Sequence, residues 1–136
     1  MKMDLKEYFL KDEFARQNGI RLVEVREGYA RAEVELEPRH MNAGGTAQGG
    51  LIFTLADLAF AAATNTHGTM TVSFSSSISF VHSASSGVLT AEAREMFDHR
   101  RMSLVEVRVT DDKGNLVALF TGNGYRKEGV ALPVGK

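Results

Sequence analysis

The sequence predicts an α+β domain in which an antiparallel sheet curls around one buried helix. Three observations carry this reading. The segment from Leu51 to Asn65, LIFTLADLAFAAATN, is apolar on almost every side, too short for a bilayer and suited to a helix covered all round. A run of strand-like segments follows it, and a helix without a polar face needs a sheet to wrap it. The 136 residues are 43% hydrophobic and 24% charged, which fits one globular domain spanning 1–136. A chain of that size buries roughly two thirds of the surface it exposes unfolded, enough for stability without staples.

The elements follow in order. From Asp4 to Asn18, Leu5, Phe9, Leu10 and Phe14 recur near helical spacing with charges between them, predicting one short amphipathic helix that Asn18 and Gly19 stop. In IRLVEVREGYARAEVELE a turn at Glu27 and Gly28 separates two strands, the second with Ala32, Val34 and Leu36 on one face. Pro38 to Gly50 reads as a glycine-rich loop before the buried helix. Thr69–Val81, Val88–Phe97, Met102–Thr110 and Leu116–Lys127 supply four more strands. The clearest places Val105, Val107 and Val109 on one face, and Asp111 to Asn115 (DDKGN) turns the last two. No internal repeat or long linker interrupts the order.

Composition excludes several classes. With no cysteine there is no disulfide, thiolate nucleophile or thiolate zinc site, which suits a reducing compartment. A formal net charge of −1 lacks the basic surface that nucleic acid demands. The N-terminal MKMDLKEYFLKDEFARQN scatters charges and has no apolar core, so it reads as neither signal peptide nor membrane span; the expectation is a cytoplasmic protein. His40, His67, His82 and His99 show no metal-ligand spacing, no G-x-S-x-G elbow exists, and no Lys-Ser or Lys-Thr follows the glycines. No metal and no cofactor are expected.

Asp57 stands out because it lies inside the most apolar helix, two turns past Gly50 and too deep to cap it. A carboxylate there is costly unless paired, hydrogen-bonded or facing a cleft, so either a structural ion pair or a working site accounts for it. Gly44, Gly45, Gly49 and Gly50 precede the same helix, where backbone N–H groups and the helix dipole suit an anion or a developing oxyanion. Ser73, Ser75, Ser77 and Ser79 read as the polar face of a strand. Arg100 and Arg101 fit a solvated turn or a phosphate contact.

With these pieces in place, N-A-G-G-T-A-Q-G-G-L-I-F-T-L-A-D from Asn42 to Asp57 resembles the signature of the hotdog-fold acyl-CoA thioesterases of the phenylacetic-acid-degradation (PaaI-like) group. There an Asn, a glycine turn, His-Gly-Gly and L-A-D open the central helix. The likeness extends over nearly the full chain, including A-L-F-T-G at Ala118 to Gly122. It implies that Asp57 is the nucleophile or the base for the attacking water, that Gly49 offers its N–H to the thioester carbonyl, with Gly50 beside it in the substrate-binding turn, and that Asn42 helps place the water or carboxylate. Ser73 falls where relatives carry a Ser assisting from the facing subunit. The chain departs from the pattern at Gln48, where many members have His; Gln still hydrogen-bonds but cannot become a cation.

The implied activity is hydrolysis of acyl-CoA esters, of phenylacetyl-CoA or hydroxyphenylacetyl-CoA type. Coenzyme A is part of the substrate, its nucleotide resting near Arg100 and Arg101. The resemblance also implies homodimers joined edge to edge and paired into homotetramers, with sites shared between subunits. A thioester is already activated, so a carboxylate and one or two oxyanion donors suffice. Two alternatives stand beside this. A non-catalytic acyl-CoA-binding hotdog protein gains little from a buried carboxylate, and a hydratase needs a His–Asp pair that the motif lacks.

Overall fold

The computed structural model describes residues 4–134. Helices α1 (Leu5–Phe9) and α2 (Glu13–Gln17) are followed by β1 (Arg21–Arg26), β2 (Tyr29–Glu35), a 3-10 turn (Pro38–His40), α3 (Gly49–Thr64), β3 (Thr69–Phe80), β4 (Val88–Asp98), β5 (Met102–Thr110) and β6 (Leu116–Ala131). All strand pairs are antiparallel, in the order β1-β2-β4-β5-β6-β3, so β1 and β3 are the edges. The sheet wraps α3 with Ala30, Ala32, Val34, Leu89, Ala91, Ala93, Val105, Val107, Val109 and Phe120 facing it. Alanines on β2 and β4 meet Ala56, Ala59, Ala62 and Ala63 of the helix, and small side chains on both sides let the layers approach closely.

Bulk is admitted at defined points. A Cβ on Gly122 would sit 2.7 Å from the Phe60 ring of α3, and one on Gly124 2.7 Å from Thr71 Cγ2 of β3 and 3.1 Å from Thr64 Oγ1 of α3, so β6 is bare where the helix and β3 press on it. The helix ends in a side-chain clasp. Asn65 donates from Nδ2 to the carbonyls of Ala61 (2.8 Å) and Thr71 (3.0 Å), and its Oδ1 accepts from the Thr71 N–H (2.8 Å).

Three expectations are corrected. The N-terminal segment is two short helices rather than one, because Asp4 and Asp12 each cap a new start by accepting from Glu7 N–H (2.8 Å) and Ala15 N–H (3.0 Å). Leu10 and Phe14, assigned to one apolar stripe, are 64% and 66% exposed. The central helix begins at Gly49 instead of Leu51 and is not covered all round. Phe53, Thr54, Asp57 and Ala61 form a half-buried stripe on α3, of which Phe53 still packs edge-on against Phe120 of β6, ring centroids 5.3 Å apart. Third, a bulge between Ser73 and Ser75 breaks the alternation of β3 and leaves Phe74 exposed. The hairpin turn at Glu27–Gly28, the valine face of β5 and the Asp111 turn follow the sequence pattern.

Candidate active site

Gln48 is the N-cap of α3, in extended backbone at φ −67°, ψ 136°. Its own N–H donates to the His40 carbonyl at 2.9 Å. His40 is buried and locked. Its Nδ1 accepts from Glu37 N–H (3.0 Å), which leaves Nε2 to carry the proton and donate to the Asn18 carbonyl (2.9 Å). Ahead of it, Asn42 organises the glycine turn: Oδ1 accepts from the N–H groups of Gly44 (2.9 Å) and Thr46 (3.1 Å), and Nδ2 donates to Thr46 Oγ1 (3.0 Å). Gly45 adopts φ +83°, a left-handed conformation that explains glycine there.

The helix start leaves two donors pointing outward. Gln48 Oε1 accepts from the Gly50 N–H, so the orientation of its amide is fixed by chemistry, and its NH₂ group has no protein acceptor among the described residues. The Gly49 N–H also has no acceptor there, while Leu51 and Ile52 already donate to the Gln48 carbonyl. Two adjacent unpaired donors at a helix N-terminus form a cradle for negative charge. Phe80, at the end of β3, lies over it: its Cζ is 3.2 Å from where a Gly49 Cβ would be. A groove of about 480 Å³ opens beside this start, lined by Phe14, Arg39, Gln48, Leu51, Phe53 and Thr54 among others.

Asp57 lies on the half-buried stripe of α3 with no hydrogen bond or ion pair to another described residue. Burial pushes its carboxyl above the ordinary aspartate value, and the Asp12 carboxylate pushes the same way. A structural ion pair is therefore not its explanation within one chain. Eight residues of helix separate it from Gly49, about 12 Å at the helical rise, so one chain does not bring the carboxylate to the cradle. Ser73 is exposed on edge strand β3, its hydroxyl 3.1 Å from that of Ser76. Arg100 and Arg101 lie on the β4–β5 turn, both 3.8 Å from Glu128 Oε2. Asn42, Gln48, Gly49 and Gly50 are thus gathered at the start of α3. Asp57, Ser73 and the two arginines lie elsewhere on the chain.

One cluster escapes sequence reasoning. Arg126 is buried on β6 and uses all five donors: Nε to the His99 carbonyl (3.1 Å), Nη1 to the Thr64 carbonyl (2.9 Å) and Thr71 Oγ1 (2.8 Å), Nη2 to Glu95 (3.0 Å) and Asp98. The other oxygens of Glu95 and Asp98 lie 2.6 Å and 3.4 Å from His67 Nε2. These three side chains bring ligand atoms within 4.8 Å of one another, as a metal site would. The Arg126 guanidinium already balances both carboxylates, so the cluster reads as an ion-pair network joining the end of α3 to the β4–β5 turn. Its partners come from separate elements, and no spacing in the sequence marks them. A larger cavity of about 910 Å³ at this end, lined by His67, Arg26 and Leu132 among others, contains none of the predicted site residues.

The family model for the thioesterase superfamily matches residues 44–118, more than half of the chain. The chain belongs to the thioesterase superfamily. A protein of Archaeoglobus fulgidus provisionally named an esterase is 36% identical over 124 residues, covering 90% of this chain and 80% of its own. The acyl-coenzyme A thioesterase PaaI of Escherichia coli is 29% identical over 116 residues, 85% of this chain and 83% of that protein. The solved structure of Escherichia coli PaaI matches this thioesterase with a TM-score of 0.87 at 27% identity over 91% of each chain. A Streptococcus mutans protein bound to acetyl-CoA matches with a TM-score of 0.76 at 28% identity, over 79% of this chain and 88% of that one. The sheet around α3 is the hotdog fold, the enzyme is PaaI-like, and it is a thioester hydrolase. No helix of the described residues is long and apolar enough to cross a membrane.

Proposed function

We propose that this enzyme hydrolyses acyl-CoA esters at a site shared between two copies, with Asp57 from one and the Gln48–Gly49 cradle from the other. The observation that carries the reading is the separation of about 12 Å between two groups that hydrolysis needs side by side, each unpartnered within its own chain. Phe53 lies four residues from both Gly49 and Asp57. A two-fold axis beside Phe53, with the helices antiparallel, therefore sets each Asp57 opposite the partner's cradle. Strand β3 supports this mode of pairing. It is a long sheet edge with Val72, Phe74 and Phe80 exposed, and such an edge is rarely left bare. Further pairing of dimers into a tetramer covers the remaining apolar surface.

The chemistry needs no metal or redox cofactor, because the thiolate of CoA is a competent leaving group. The thioester oxygen rests between the Gly49 N–H and the Gln48 NH₂, which stabilise the negative charge that grows as the carbonyl is attacked. Ionised Asp57 acts from the opposite side, either removing a proton from the attacking water or attacking first to give an anhydride that water opens. Asn42 keeps one Nδ2 hydrogen for the water, and Ser73 reaches the site from the edge strand. Phe14, Leu51 and Phe53 offer an apolar, partly aromatic groove beside Gln48, suited to an aryl-acetyl group of phenylacetyl or hydroxyphenylacetyl type. A CoA ester substrate fits a cytoplasmic enzyme.

A panel of acyl-CoA esters with a free-thiol reagent tests this. Thiol release is expected from aryl-acetyl esters with wild type and to fall at least a hundredfold in Asp57→Asn, which keeps shape and removes charge. Hydrolysis by Asp57→Asn above about a tenth of wild type removes Asp57 from the reaction.

A further inference from the structure

Two walls of the site depend on one buried side chain that takes no part in the proposed reaction. His40 closes the 3-10 turn and is 3% exposed, with a partner on each ring nitrogen: Nδ1 accepts from the Glu37 N–H at 3.0 Å, and Nε2 donates to the Asn18 carbonyl at 2.9 Å. The first bond fixes the turn, and the turn presents the His40 carbonyl to the Gln48 N–H at 2.9 Å. A bridge between Met41 and Ala47 shuts the loop between them, so Gln48 enters α3 at a place set from Nδ1. The second bond reaches α2. That helix has five residues and buries only Ala15, so packing holds it weakly. Its last carbonyls are held from the 3-10 turn instead, that of Gln17 by Arg39 Nη1 and that of Asn18 by His40 Nε2. Asn18 Nδ2 in turn donates to the Phe14 carbonyl at 2.8 Å, and Phe14, 66% exposed, lines the groove beside Gln48.

We infer that His40 is a positioning residue of this thioesterase: Nδ1 sets the oxyanion cradle, Nε2 sets the aromatic wall, and the ring fixes the spacing between them. The inference rests on the acyl-CoA reading of cradle and groove and adds the residue that aligns the two. The Glu37 N–H needs an acceptor and the Asn18 carbonyl a donor, and a neutral imidazole offers one of each at two corners of a rigid ring. Amide side chains reach only one of these places. The oxygen of an asparagine stands where Nδ1 is, and the nitrogen of a glutamine where Nε2 is, so the two substitutions separate the two bonds. Both remove the ring, so a role confined to packing costs stability in both and treats the two walls alike. Donors shifted by about 1 Å from the growing oxyanion lose catalytic power on any ester, whereas a displaced Phe14 weakens only acyl groups that touch it.

The test uses an aryl-acetyl-CoA ester and acetyl-CoA, whose acyl group has no ring to meet Phe14. His40→Gln keeps the bond to Asn18 and gives up the acceptor for Glu37, so kcat on both esters is expected to fall about ten- to a hundredfold while KM changes little. His40→Asn keeps the turn and releases α2, so KM for the aryl-acetyl ester should rise about fivefold, the size of one aromatic contact, without a comparable rise for acetyl-CoA. In a Phe14→Ala background, His40→Asn should no longer move that KM, because the wall it controls is gone. NMR gives the same split without turnover: the amide signals of Gln48, Gly49 and Gly50 should shift in His40→Gln, those of Phe14 to Asn18 in His40→Asn, and in wild type the ring proton should sit on Nε2. A ring proton on Nδ1, equal effects of the two variants on both walls, or a His40→Asn effect that adds in full to that of Phe14→Ala overturns the assignment. If wild type hydrolyses neither ester, the thioesterase reading for these substrates fails, and the ring proton and amide signals still decide the role of His40.

Discussion

Replacing Gly49 by proline deletes one atom group of the proposed cradle, the backbone N–H, with little reason for the fold to object. Gly49 is the first residue of α3, where proline's fixed φ suits the helix and no intrahelical bond is lost. Gln48 before it is already extended at ψ 136°, as a residue preceding proline must be. The Gly49 N–H has no acceptor among the described residues, so nothing else is broken. The steric cost falls on Phe80, whose Cζ lies 3.2 Å from a Cβ at this position; that ring is exposed at a strand end and can swing aside. Against this, proline gives back about 0.4–1 kcal/mol by restricting the unfolded chain. Stability is therefore expected within about 1 kcal/mol of wild type, while loss of one oxyanion donor should lower kcat by about 10²–10³. Gly49→Ala presents the same Cβ to Phe80, keeps the N–H, and is the control. Steady-state hydrolysis and thermal unfolding of all three proteins give the answer. A folded Gly49→Pro that keeps more than about a tenth of wild-type kcat, or an alanine variant that loses as much as the proline, refutes the role of this amide.

Three further outcomes follow from the same geometry. Gln48→Ala should lower kcat more than it raises KM, because the NH₂ group acts on charge that grows in the transition state; an unchanged kcat leaves Gln48 only its cap on Gly50. Asp57 has a folded-state pKa above its unfolded value, so its protonated form favours folding, and that contribution, full below about pH 3.9, is lost as pH rises through the raised value. Asp57→Asn should thus unfold at higher temperature than wild type at pH 7, the difference closing toward pH 3, and a variant less stable at pH 7 contradicts the unpartnered carboxylate. Gly122→Ala drives a Cβ to 2.7 Å from Phe60 in the tightest contact of α3 with β6 and should cost about 1–3 kcal/mol in urea unfolding; no loss would show that the helix can retreat from the sheet.

The parts of the fold that were legible in the sequence are those decided by local pattern. Alternation placed Val105, Val107 and Val109 inward, DDKGN marked its turn, and an apolar run demanded a wrapped helix. What pattern missed was decided by competition at the same residues. Asp12 sits mid-stripe, yet its side chain gains more by capping α2 than by extending α1. The bulge at Phe74 adds a residue to β3 that strict alternation has no place for. At the site, the motif from Asn42 to Asp57 was visible because its residues are contiguous, whereas Arg126, Glu95, Asp98 and His67 meet only through folding. The half-buried stripe of α3 was hidden for another reason. Phe53 and Ala61 are apolar, and composition alone does not tell a helix face fully covered by the sheet from one left half-buried.

Subunit complementation tests the shared site most directly. Asp57→Asn chains and chains carrying Gln48→Ala with Asn42→Ala, each inactive alone, are unfolded together and refolded in equal amounts. In a mixed dimer one site then carries both lesions and the other neither. With random pairing about half of the dimers are mixed and one of their two sites works, so activity should return to roughly a quarter of wild type. A mixture that stays as inactive as its parents, with mixed dimers confirmed by mass, places the carboxylate and the cradle in one chain and contradicts the account.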